Sequence, residues 1–279
     1  MGEKRVGIGK QNHFHSAIFA VTWVDLLGYG SMLRECNFDP TSKQAKTALV
    51  RLEKFNKLSL EHSVAAFPIL QVNDGIASWR ELSFRTKSVT QDFIDRSLNF
   101  FYEITESEKK NGFPGPRMVI SAGVRMKMKN KKKEVAKQRA EYLLKQIHEG
   151  KITYEQAVYT ACNFGDFCNG VNALQANFAF TKSFLAEESG KNGGFAGNNV
   201  FIDMSFFGKD SLELKSINFD KQFCWNACQG LETTFARVKE YNRDLYLEHS
   251  PSEILSTLEI SKKILRCKTQ EEVFYRLKK

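Results

Sequence analysis

The segment AIFAVTWVDLLG is rich in β-branched and aromatic residues, and nearly every position is apolar. That is the pattern of a strand buried on both faces and central in its sheet. The period then changes. From Pro40 to about His62, Ala48, Leu49, Leu52, Phe55 and Leu58 recur at helical spacing behind an Asp-Pro start, which predicts an amphipathic helix. Residues 64–72, VAAFPILQV, return to strand character, with Pro68 tolerable near an edge or bulge. NDG follows as a hairpin turn into IASWREL. A second helix is expected from about Ser88 to Lys110, with Phe93, Leu98, Phe101 and Ile104 on one side and NGFPGP stopping it. RMVISAGVRM, residues 117–126, reads as the next strand.

This β–α–β–β–α–β order is the ferredoxin-like plan, an antiparallel sheet with both helices packed on one face. The expected class is therefore α+β. Residues 131–167 read as polar helices, 172–189 as another helix, GNNVFIDMSFF as a further strand, and the tail from Pro251 as two short helices. A length of 279 residues fits one domain with insertions, or one plus a small appendage.

Composition adds a core and narrows the partners. The chain is 42% apolar and carries 23 Phe, ample surface to bury. Its formal charge of +9 would suit a polyanion, but the basic excess is concentrated in RMKMKNKKK at 125–133. Such a run is commonly a solvated helix start, and no aromatic alternates with these lysines as a single-strand stacking platform would need. Nucleic acid is thus not the expected partner. Cys224 and Cys228 of CWNAC have no second pair and no nearby His, so buried thiols are expected rather than zinc. No stretch approaches 18 apolar residues and the start MGEKRVGIGKQNH has no apolar signal region, so the expectation is no membrane span and a cytoplasmic location.

Two carboxylates stand out by placement. Asp25 ends the first strand and is followed by LLGYGS, where Gly28 and Gly30 allow a tight turn with N–H groups aimed outward. Asp74 sits in the tip of the hairpin QVNDG. In the β–α–β–β–α–β sheet the end of strand one lies beside that tip, so the two acids could share divalent cations. Mg²⁺ prefers one or two carboxylates plus substrate phosphates, and an acid in a buried strand is costly unless paired or metal-bound.

With those residues in place, VTWVDLLGYGSM resembles the first metal motif of class III nucleotidyl cyclases, and LQVNDGIA is similar to their second. RMVISAGVRM stands where the family has its R-x-G-I-like strand. The resemblance covers roughly residues 16–127 and, more loosely, 170–207. It implies a cyclase-like catalytic domain over 14–210, with a helical insertion at about 128–170 and a mainly helical extension over 211–279. It implies two Mg²⁺ or Mn²⁺ ions per active site, at Asp25, Asp74 and Leu26. Phosphates would rest on the amides of Leu26 to Gly30, giving Leu27, Gly28, Tyr29 and Gly30 a nucleotide-binding role, with Arg125 beside them. Asn177 would contact ribose or stabilise the transition state, and Lys182 would hold the triphosphate, with Asn172 a competing candidate for the Asn. The family forms its sites at a head-to-tail interface, so a homodimer acting on a nucleoside triphosphate is implied. Among relatives, the stand-alone bacterial cyclases of antiphage signalling, which make cyclic pyrimidine nucleotides, look nearer than the large regulated enzymes.

Plainer readings stay open beside these. Asp25 could cap a helix, and Asn73-Asp74-Gly75 is a common hairpin turn. A cyclase-like domain could bind nucleotide without turnover, and a palm-like nucleic-acid-binding protein would use the same sheet and acids. Ser78, Trp79 and Arg80 lie near enough to the hairpin to be candidates for base choice.

Overall fold

The computed structural model describes residues 15–127, 131–161, 173–208, 216–227 and 231–278. The first half follows the expected order with one added short helix, α1, directly after the glycine turn: β1 (His15–Leu26), α1 (Tyr29–Glu35), α2 (Lys43–His62), β2 (Ile69–Val72), β3 (Gly75–Glu81), α3 (Ser88–Lys110) and β4 (Pro116–Lys127). α2 starts three residues later than Pro40 because Ser42 is its cap, its side chain accepting from the Ala45 N–H. β2 is shorter than the strand expected over 64–72: the chain makes an isolated bridge between Val64 and Phe67 before Pro68, and pairing begins only at Ile69.

After β4 come α4 (Lys131–His148), α5 (residues 154–161), α6 (Phe178–Glu188) and the short strand β5 (Val200–Asp203). Residues 217–227 and 231–241, expected within a mainly helical stretch, instead form the antiparallel pair β6 (Ile217–Ala227) and β7 (Leu231–Tyr241). Helices α7 (Arg243–Glu253), α8 (Thr257–Leu265) and α9 (Gln270–Lys278) end the chain. Seven strands make one mixed sheet in the order β2-β3-β1-β4-β5-β7-β6, with β4 and β5 its parallel pair.

Alternation along β1 divides the two faces. Ile18, Ala20, Val24 and Leu26 pack with Phe93, Ile94, Leu98 and Phe101 of α3 and with Ile260, Val273 and Leu277 of the terminal helices. Thr22, on the same face, shares a 2.7 Å hydrogen bond with Ser97, so its hydroxyl is buried but satisfied. Ala17, Phe19 and Val21 point the other way, onto Ala179 of α6. Close contact there depends on Gly123 of β4, where a Cβ would fall 2.5 Å from the Ala179 backbone nitrogen. The buried stripe of α2 is Ala48, Arg51, Phe55 and Ser59, while Leu49, expected inside, is exposed. No helix among the described residues is long and apolar enough to cross a membrane. Cys36 and Cys267 are buried thiols, but Cys224 is exposed, correcting the expectation for that residue, and its thiol donates to Glu232 at 3.2 Å.

Candidate active site

β1 is held on both sides where it ends. The Leu26 N–H donates to the Asp74 carbonyl at 3.2 Å, tying the strand to the hairpin tip, and the Leu27 N–H donates to the Gly115 carbonyl at 3.0 Å, tying it to the start of β4. The register sets Asp25 opposite Gly75 on β3 and opposite Arg117 on β4. Asp25 and Asp74 are thereby brought to one rim of the sheet, as the motif reading expects. Gly75 must be glycine, because a Cβ would lie 2.5 Å from the Trp23 ring. Asn73 takes the left-handed φ of +57° that the turn requires and donates its side-chain amide to an Asp74 carboxylate oxygen at 2.8 Å.

The loop after Asp25 turns at Gly28, whose φ of +78° opens α1. Since the amides of Leu26 and Leu27 are engaged within the fold, they are not the phosphate donors the sequence suggested. The amides of Gly28, Tyr29 and Gly30 stand at the head of α1, where a helix provides no internal acceptor. The Tyr29 ring is buried beneath the loop. Burial and the charge of Asp74 raise its phenol pKa.

Sequence reasoning missed the ion pairs flanking this rim. Arg51, 1% exposed, donates from Nε to Glu108 at 2.9 Å and from a terminal nitrogen to the Leu27 carbonyl at 3.0 Å, while its guanidinium lies 4.7 Å from the Phe113 ring centre. Arg117 donates from Nε to Glu187 at 2.8 Å and from a terminal nitrogen to the Phe195 carbonyl at 3.0 Å. A signal for Arg51 was present: it occupies the apolar stripe Ala48-Arg51-Phe55, and Glu108 continues the stripe of Phe101 and Ile104, positions where a charge needs a partner.

Charge balance at the rim follows from these pairs. Burial first, then Glu187 and Asp74, push the Asp25 carboxyl up from an ordinary 3.8 to about 7, against the opposing pull of Arg117 and Arg51. Burial also raises Asp74, against its own amide, Arg51 and Asn73. Both arginines are already committed to glutamates, so four carboxylates face two guanidiniums and a formal charge of −2 is left when all ionise. No group of three His, Cys, Asp or Glu able to hold a metal ion occurs among the described residues. A carboxylate pair short of cationic partners fits Mg²⁺ or Mn²⁺, which complete their shells with water, backbone carbonyls and phosphate oxygens.

The other candidates lie elsewhere. Arg125 pairs with Ala17 in the β1–β4 register and bridges to Asn177. Eight residues of strand separate Ala17 from Asp25, about 26 Å at the usual rise. Arg125 packs its guanidinium 5.2 Å from the Phe19 ring centre. Asn177 is 2% exposed and caps α6, its side-chain oxygen accepting from the Ala179 and Phe180 N–H groups at 3.1 and 3.3 Å. Lys182 is buried and bonded to Asp203 at 2.5 Å. Within one chain, then, Asn177, Lys182 and Arg125 do not meet Asp25 and Asp74. Asn172 and Cys228 lie outside the described residues, as do residues 128–130 of the basic run. Trp79 packs toward Val21 and Arg80 is held by Asp92 at 2.7 Å, which gives both structural work, while Ser78 is buried with its hydroxyl oxygen lacking a hydrogen-bond partner among the described residues.

No family model matches the chain, and no curated protein matches it. Among solved structures it is similar to the guanylyl cyclase Cya2, at 10% identity and a TM-score of 0.45 over 82% of this chain and 95% of that one. It is similar also to the adenylyl cyclase CyaB from P. aeruginosa, at 11% identity and a TM-score of 0.44 over 83% and 98%. A third is the guanylate cyclase domain of RhGC from Catenaria anguillulae, solved in complex with GTP, at 9% identity and a TM-score of 0.39 over 81% and 98%. These three solved neighbours are all adenylyl or guanylyl cyclases.

Proposed function

We propose that the chain is a nucleotide cyclase, converting a nucleoside triphosphate to a 3′,5′-cyclic nucleotide and pyrophosphate with Mg²⁺ or Mn²⁺ held at Asp25 and Asp74. The observation that carries this reading is the pairing of those two acids at the end of β1, tied by the Leu26–Asp74 hydrogen bond, beside arginines already taken by Glu108 and Glu187. When bound, two such cations lower the pKa of an attacking hydroxyl and carry the charge of the departing pyrophosphate.

The protein's own residues do the positioning. Arg51 fixes the Leu27 carbonyl and so the path of the loop. The amides of Gly28, Tyr29 and Gly30 face phosphate oxygens. Asp25, with a pKa of about 7, holds a proton in about half the cation-free molecules at neutral pH and releases it when a cation replaces it. The reading includes a homodimer: a contribution of Asn177, Lys182 or Arg125 to this rim comes from a second copy placed head to tail.

A second reading has an observation of its own. Asn177 and Lys182 are both buried and engaged within their own chain, as befits a cyclase-like domain that binds nucleotide without consuming it. The test incubates the purified protein with ATP, GTP, CTP or UTP and Mn²⁺ and resolves products by mass. A cyclic monophosphate from one of them, lost in Asp25→Asn and Asp74→Asn, supports the enzyme and identifies its base, pyrimidine or purine. Bound nucleotide with no cyclic product supports the second reading.

A further inference from the structure

β5 is four residues long, whereas its neighbours β4 and β7 run to twelve and eleven. β4 pairs with it only over Met118–Ile120, and β7 only from Phe235 to Arg237. Past Asp203 the two long strands continue with no strand between them among the described residues. A cavity of about 810 Å³ occupies the gap, walled by Ala122, Gly123, Val124 and Met126 of β4, by Glu232–Thr234 of β7 and by residues of α8 and α9.

The inner end of this cavity is built of polar groups. Asp203, 1% exposed, accepts from the Ala122 N–H at 3.3 Å, an amide that a longer β5 would have paired, and from the Ser205 N–H at 2.8 Å. Lys182 reaches in from α6 and bonds the same carboxylate. The Ser205 hydroxyl lines the cavity, and its oxygen is buried without a hydrogen-bond partner. At the mouth stand Lys263, Arg266 and Arg276. Lys263 is steadied by the Met204 and Phe207 carbonyls, and Arg276 by the Leu265 carbonyl. The lining thus has four cations against the two carboxylates Asp203 and Glu232, a formal charge of +2. Val124, Phe178 and Ile264 supply an apolar wall.

We propose that this cavity binds a phosphorylated small molecule of mononucleotide size, its dianionic phosphate at the arginines of the mouth and its ring against the apolar wall. The volume lies within the few hundred to a thousand Å³ usual for such ligands, and the charge matches a phosphate monoester. The site needs no divalent cation and stands at the other end of the sheet from the Asp25 and Asp74 of its own chain; of the residues in the dimer reading it shares Lys182 alone, already bonded to Asp203, so its test does not rest on those acids.

The test titrates the full chain in EDTA with 5′-AMP, 5′-GMP, 5′-CMP and 5′-UMP, and separately with inorganic phosphate, by calorimetry. At least one mononucleotide should bind. Reversing the two exposed rim charges (Arg266→Glu with Arg276→Glu) should weaken it by about tenfold or more. Thr234→Trp, which fills the cavity without changing charge, should abolish binding, and Asp74→Asn should leave it unchanged. The proposal is overturned if no mononucleotide binds, if Asp74→Asn removes binding while the reversal does not, or if inorganic phosphate binds as tightly as every mononucleotide.

Discussion

Asp25→Asn should make the cation-free protein more stable at pH 8, the opposite of what removing a half-buried charged group usually does. The carboxyl is pushed from 3.8 to about 7 by burial and by Glu187 and Asp74. At about 1.4 kcal/mol per pH unit, ionising it in the folded state costs about 4 kcal/mol. Because the folded pKa lies above the unfolded one, the protonated form's contribution is fully present below about pH 4. It is lost as pH rises through 7. Asparagine keeps the shape and never ionises, so the two proteins should be alike near pH 4 and diverge up to pH 8. Urea unfolding in EDTA at several pH values reads the difference directly. Adding Mn²⁺ should then stabilise the wild type and not the variant, by mass action on the folded state. A variant less stable than the wild type at pH 8, or a difference that does not change with pH, would refute the reasoning.

Three further outcomes are expected. Arg51→Ala leaves Glu108 buried and unpaired, so a loss of about 3–5 kcal/mol is expected on urea unfolding, most of it recovered when Arg51→Met is combined with Glu108→Leu. Asn177→Ala should cost about 1 kcal/mol through the lost cap of α6, with Asn177→Ser restoring most of the melting temperature; an undiminished melting temperature in the alanine variant would show that the cap contributes nothing. Gly123→Ala must lift α6 from the sheet and should cost about 2 kcal/mol or more, whereas Gly30→Ala, with nothing within 4 Å of the new carbon, should be neutral or slightly stabilising.

Those contrasts bear on what the sequence could disclose. β1 and β4 were legible as apolar runs of strand length, and α3 because its apolar residues recur on one side of a helix that spans Ser88–Lys110 as the pattern predicts. β6 was not, since INFDKQFCWNA buries only Ile217, Phe219 and Trp225 fully and leaves charged residues between them, an edge strand with little to bury. The acidic pair could be found because strand end and hairpin tip are adjacent in any β–α–β–β–α–β sheet. The pairs Arg51–Glu108 and Arg117–Glu187 join residues 57 and 70 positions apart; a charge in the apolar stripes of α2 and α3 hints that Arg51 and Glu108 each need a partner, but only packing shows which. Asn177 was recognised as special, but a cap and a catalytic amide look alike in one dimension.

The length of β4 has one more consequence. Apart from Glu187, the acidic rim draws on residues 25 to 117, one uninterrupted stretch, while most of the far cavity is built after residue 177. β4 serves both, with Arg117 at its first rungs and Met126 at its last, locked to β1 through twelve successive partners. Substitutions in the later half that spare Glu187 and the Phe195 carbonyl, which hold Arg117, can therefore leave the acids in place. The alignment of β1 on β4 is the joint on which both the rim and the cavity are built.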